Sequence, residues 1–128
     1  TFAALPEVPP GEKSAGKLAS IALTRAKLLR LVASWQSSRG PQAATSAATT
    51  VEQGLAVVDD SARMTGGLIA KAQAERGALL ALKAQTLADP SAKKQAAQQA
   101  AELLQAALRE SPPLGTEYRA YLDAAAKL

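Results

Sequence analysis

The chain has no histidine and no cysteine among its 128 residues, one Phe, one Trp, one Met and two Tyr. The missing histidine and cysteine take away the usual general base, the reactive thiol and the common soft metal ligands. Catalysis would fall to Asp, Glu, Lys, Tyr, Ser or Thr. Without cysteine there is no disulfide framework, a state compatible with any redox compartment. Apolar runs are short, as in Ala78 to Leu82, far below the ~20 residues that a membrane-spanning helix needs. No Asp-x-Asp-x-Asp-Gly loop, Glu-x-x-His helix motif or strand-preceded Gly-x-x-x-x-Gly-Lys-Ser/Thr occurs, so neither a metal site nor a phosphate loop is expected. The one Ser-x-x-Lys match, Ser91-Ala92-Lys93-Lys94, falls on a first helical turn, where the lysine stays protonated. The expectation is a non-enzyme with no cofactor and no metal.

What is present favours helix. The chain holds 31 alanines, and apolar residues make up 48% against 3% aromatic. Alanine is the best helix former, few β-branched residues compete with it, and the core must be Leu, Ile, Val and Ala. Trp35, Phe2, Tyr118 and Tyr121 are the large rings. The length suits one domain with its own core.

The opening stretch through Pro9-Pro10-Gly11 reads as an extended Pro-rich tether, residues 1–11, ahead of a single helical-bundle domain over 12–128. With no initiator Met before it, the tether points to an exported or periplasmic setting over the cytoplasm. Helix 1 is expected from Glu12 to Ser38, ended by Gly40-Pro41. Its Leu18, Ile21, Ala22, Leu28, Leu29, Val32 and Trp35 form one stripe, read as the core-facing side, with Lys13, Lys17, Ser20, Thr24, Lys27 and Ser34 on the remaining face. Helix 2 starts near Gln42 and carries a bundle seam of Ala44, Ala48, Val51, Leu55, Val58 and Ala62, spaced 4, 3, 4, 3, 4. Gly66-Gly67 supplies a stop, and Leu68, Ala72, Leu79 and Leu82 resume a stripe in helix 3.

Asp89 as N-cap and Pro90 at the first helical position start the next helix. It runs to about Arg109, with Ala97, Ala100, Leu104, Ala107 and Leu108 inward and Gln98, Glu102, Gln105 and Arg109 in water. Ser111-Pro112-Pro113 ends it. A short last helix after Gly115-Thr116 places Tyr118, Tyr121, Leu122 and Ala125 on one face. The expected fold is all-α, an antiparallel up-down four-helix bundle with a short C-terminal helix. The alternative is a three-helix arrangement on one long central helix from about Gln42 to Leu87.

Through Pro41 there are six basic and two acidic residues, the rest of the chain is neutral, and Lys13 to Arg39 holds no acid. The net charge of +4 therefore sits on the tether and helix 1. Lys13, Lys17, Lys27 and Arg30 make a basic face suited to an acidic protein, anionic lipid or nucleic acid. The absence of interleaved aromatics or base-reading side chains argues against nucleic acid. Arg25 in helix 1 and Glu75 in helix 3 sit inside apolar stripes, with Arg76 beside the latter. An unpaired buried charge costs several kcal/mol, so three readings stand: an Arg25–Glu75 ion pair that sets register or long side chains that reach the bundle end, a partner-facing side of helix 3, or an inter-helix pocket where Arg25 or Arg76 grips a small anion. Asp59-Asp60-Ser61 ahead of Arg63 suggests acidic pairing or local capping. Trp35 reads as a bundle-end plug, and Tyr118 and Tyr121 as a cap on the bundle or a docking surface.

Ala74-Glu75-Arg76-Gly77, followed by leucines, resembles extracytoplasmic helical-bundle sensor domains over those four residues alone, and nothing is carried over from it. The expected function is a protein–protein interaction module, an accessory or adaptor component of a larger, cell-envelope assembly, with homo-oligomerisation open. The alternatives are a small-molecule sensor with an anion pocket and a binder of anionic surfaces through helix 1.

Overall fold

The computed structural model describes residues 12–40, 43–65 and 69–128, with the side chains of 12–16, 44 and 64–65 left outside the description. The expected tether, residues 1–11, and the Gly66-Gly67 stop lie outside the described residues.

Among the described residues the chain is all-helical. The helices are α1 (Glu12–Ser38), α2 (Ala44–Thr65), α3 (Ala70–Thr86), α4 (Pro90–Glu110) and α5 (Gly115–Ala126), with a 3-10 turn at Pro112–Leu114. Gly40, at φ 98°, supplies the left-handed residue that closes α1. Ile69 is extended, with φ −81° and ψ 166°, so α2 and α3 are separate helices and the long central helix does not form. Asp89 caps α4 as its sequence predicts, its carboxylate accepting from the Ala92 N–H at 2.9 Å, with Pro90 behind it.

Helix α3 is the centre: it touches α1, α2, α4 and α5, and ten of its residues are buried, including Ala72, Ala74, Ala78, Leu79, Leu82 and Ala84. Two close approaches set its neighbours. A Cβ on Gly54 of α2 would lie 2.8 Å from Leu79 Cδ2, and one on Gly77 of α3 would lie 2.7 Å from Leu104 Cγ and 3.2 Å from the Ala100 carbonyl. Helix α4 buries Ala97, Ala100, Leu104, Ala107 and Leu108 as expected, and leaves Gln98, Glu102, Gln105 and Arg109 exposed.

Helix α2 buries Ala47, Val51, Leu55, Val58 and Ser61, a seam turned slightly from the expected one: Ala48 and Ala62 are only half-buried. Helix α1 departs most from expectation. Its buried side is Ala19, Leu23, Ala26, Arg30 and Ala33, whereas Leu18, Ile21, Leu28, Val32 and Trp35 are exposed. The small side chains let α1 lie close against α2, where the Ser61 hydroxyl donates to the Ala19 carbonyl at 3.0 Å and Thr50 donates to Gln36 Oε1 at 2.8 Å. Trp35 is therefore no bundle-end plug. It stands 59% exposed with the Arg39 guanidinium 4.8 Å from its ring centre.

Candidate functional site

Two features of α1 stand out, one on each side. On the inner side about two turns bring Lys27, Arg30 and Ser34 toward α3 and α5. Arg30 is 1% exposed and Glu75 is 0% exposed. The guanidinium donates in a fork to Glu75, Nε to Oε2 at 2.9 Å and Nη2 to Oε1 at 3.0 Å. Nη1 donates to the Tyr121 hydroxyl at 2.9 Å, and Nη2 also donates to Glu117. Tyr118 donates to Glu75 Oε1 at 2.5 Å, Ser34 and Tyr121 share a hydroxyl–hydroxyl bond of 2.8 Å, and Lys27 lies 3.4 Å from Glu117. The Tyr118 and Tyr121 ring centres sit 4.9 and 5.1 Å from the Arg30 carbon, close enough for cation–π attraction.

The electrostatics follow from this packing. Burial works against the charge on Arg30, but hydrogen bonding to Glu75, that carboxylate's charge and Tyr121 hold the guanidinium above its ordinary range. Burial, then the hydrogen bond to Glu75 and its charge, push the Tyr118 hydroxyl well up. Burial alone would raise Glu117, but the Arg30 bond and charge, followed by Lys27, bring it below its ordinary value. Two cations and two carboxylates balance, and four of the five N–H donors of Arg30 are engaged. The fork of Arg30 is occupied by Glu75, so this cluster fastens α1 and α5 to α3.

The structure redistributes the expected site residues. Glu75 is buried and paired, but with Arg30; Arg25 is exposed on the outer side of α1. The reason is angular: Arg30 continues the spacing of Ala19, Leu23 and Ala26, whereas Arg25 belongs to the large-residue stripe. That small-residue spacing was the available signal for Arg30, and attention to large apolar residues missed it. Arg76 pairs with Asp59 on α2 and Arg63 with Asp60, the acidic pairing the sequence suggests. The basic face does not form as drawn. Lys17 is exposed, Lys27 is bound to Glu117, Arg30 is internal, and the Lys13 side chain lies outside the described residues. Tyr118 is 0% exposed, so it caps the bundle from inside and offers no docking surface; Tyr121 is half-buried against it.

On the outer side of α1, Leu18, Ile21, Leu28, Leu31, Val32 and Trp35 are each between 45% and 65% exposed. Elsewhere the surface carries shallow clefts, one of about 370 Å³ between α4 and α5, beside Gln105, Arg109 and Arg119. No group of three or more acidic residues among the described residues is arranged to hold a metal, and no described helix is long and apolar enough to cross a membrane. Compared with family models, curated proteins and solved structures, the chain matches none of them.

Proposed function

We propose that the chain is a non-enzymatic protein–protein interaction module, an adaptor or accessory component that docks through the outer face of α1. One observation carries this reading: six large apolar side chains stand exposed on a single helix whose opposite face is fixed to the core. Isolated exposed apolar residues are ordinary, but a contiguous patch above a few hundred Å² marks a surface made to be covered. The scaffold behind it is read as an up-down antiparallel bundle of α1 to α4 with α5 appended. Short connections at 39–43, 66–69 and 87–89 and the packing of each helix on its successor support that topology. The sensor reading has less behind it: Arg25 faces outward, Glu75 is paired with Arg30, and Arg76, which lines a shallow cleft between α3 and α4, is bound to Asp59.

The test uses the absence of native cysteine. Leu28→Cys and Val32→Cys are labelled with a maleimide in the cells that make the protein, with Gln98→Cys on the wet face of α4 as control. Labelling at the two α1 positions is expected to be at least several-fold slower than at the control. Equal rates at all three positions would overturn the reading.

A further inference from the structure

Resting on the interaction-module reading, we infer that the occupant of the outer face of α1 is a second copy of this chain, its α1 running antiparallel to the first. The exposed stripe is Leu18, Ile21, Arg25, Leu28, Val32 and Trp35, spaced 3, 4, 3, 4, 3. This is the alternating spacing of a helix–helix seam, and it reads the same in both directions. A two-fold axis between residues 26 and 27 therefore lays the stripe on itself with no position left over. Leu18 meets Trp35 of the second copy, Ile21 meets Val32, and Arg25 meets Leu28. Leu31 lies at the edge of the stripe.

Charge selects this orientation over the parallel one. Parallel helices in register would stack Arg25 on Arg25 in a segment, Lys13 to Arg39, that holds no acid to offset it. The antiparallel register moves each Arg25 to a leucine, where its aliphatic stem covers apolar surface while the guanidinium reaches water. The two Lys17 residues are then carried to opposite ends of the pair rather than stacked on one another. A single polar position inside a seam is a common device for fixing helix orientation. The area also suffices. The exposed fractions of the six large apolar side chains correspond to roughly 600 Å² per copy, or about 1,200 Å² for the pair, the lower end of specific interfaces.

The first experiment is sedimentation of the purified chain at about 100 μM, above the micromolar constants typical of the weaker interfaces of this size. A mass twice the 13.1 kDa of one chain is expected, and Leu28→Glu should return it to one chain with unchanged helical circular dichroism, because Leu28 is exposed and plays no part in the core. A single-chain mass for the parent, or a dimer that persists in Leu28→Glu, would overturn the inference. The second experiment sets the register. Ile21→Cys mixed with Val32→Cys should form a disulfide-linked dimer several-fold faster than either alone, since the bond needs Cα atoms within about 7 Å. Faster linking of each variant with itself would mean a parallel pair and overturn the antiparallel register. A monomer that binds vesicles of anionic phospholipid would assign the face to lipid and overturn the second-copy proposal. If the purified chain is monomeric while the α1 cysteines remain protected in cells, the second-copy inference falls and the interaction module stands.

Discussion

The two faces of α1 reverse the usual relation between side-chain size and burial. The inner face is Ala19, Leu23, Ala26, Arg30 and Ala33; the outer face carries Leu18, Ile21, Leu28, Val32 and Trp35. Each holds one arginine inside an apolar spacing. The inner arginine meets a carboxylate fork from Glu75, and the outer one stays in water. What decides burial here is how closely a face lets its neighbours approach. Alanines bring α1 against α2 and deliver Arg30 to α3, so the larger side chains are left as surface that the fold does not use.

The strongest way to break this comparison is to remove the charge that answers Arg30. Glu75→Gln should cost up to about 3–5 kcal/mol, because it removes the buried carboxylate that answers both N–H groups of the Arg30 fork and leaves Glu117, at the exposed edge, as the remaining counter-charge. The readout is the free energy from urea unfolding. Arg30→Met combined with Glu75→Leu should lose less than Glu75→Gln alone, since apolar replacement of a buried pair is often near neutral. Arg25→Ala, the matching change on the outer face, should stay within about 0.5 kcal/mol of the parent.

Close approach makes the next largest claim. Gly77→Ala should cost roughly 1–3 kcal/mol despite alanine's better helix propensity, because the added methyl meets the branch point of Leu104 at 2.7 Å and a backbone carbonyl at 3.2 Å. Gly54→Ala should cost less, since its nearest obstacle is a terminal methyl of Leu79. Ala26→Leu, which increases apolarity on the inner face, should also be destabilising by about 1–3 kcal/mol for the same reason. Denaturant midpoints at constant slope would order the three.

The polar cluster also predicts how stability changes with pH. The Tyr118 hydroxyl is raised above its ordinary 10.0 in the fold, so the unfolded chain releases that proton first. Its contribution is complete below pH 10 and lost as pH climbs beyond it. Glu117 is shifted the other way, below 4.5. Its contribution is present above that pH and lost as pH falls through the lowered folded value. Thermal melts should therefore show Tm falling at both extremes. Tyr118→Phe should flatten the alkaline limb and Glu117→Gln the acid limb; limbs unchanged in these variants would separate the cluster from the pH response.

The helices were legible because their signals are local. Asp89-Pro90, Gly40 and Ser111-Pro112-Pro113 act within a turn of the chain, and α4 carries a single stripe of alanines and two leucines against a face of Gln, Glu and Arg. Helix α1 was not legible in the same way. It carries two stripes, and periodicity weighted by hydrophobicity selects the larger one, whereas the fold buries the small-residue one, whose Ala19 carbonyl accepts from Ser61 on α2. Glu75 was correctly marked as a charge inside a stripe. Its partner was not, because Arg25 and Arg30 differ by five residues, about 140° around a helix, and only the identity of the inner face tells them apart. Tyr118 needed the same knowledge: its partner lies 43 residues away, beyond any local signal.

The smallest expected effect is the most direct probe of the outer face. Leu28→Ala removes a large apolar side chain that is 59% exposed and replaces it with a slightly better helix former. Measured at about 1 μM, where an interface of minimal area is expected to dissociate, its unfolding free energy should match the parent within about 0.5 kcal/mol. A loss of 2 kcal/mol or more, the size typical of a core leucine, would mean that α1 packs with its large residues inward and that the two faces have been exchanged. Equality at low concentration, followed by a loss that grows as the chain is concentrated, would instead show that the same leucine is silent in folding and active in association.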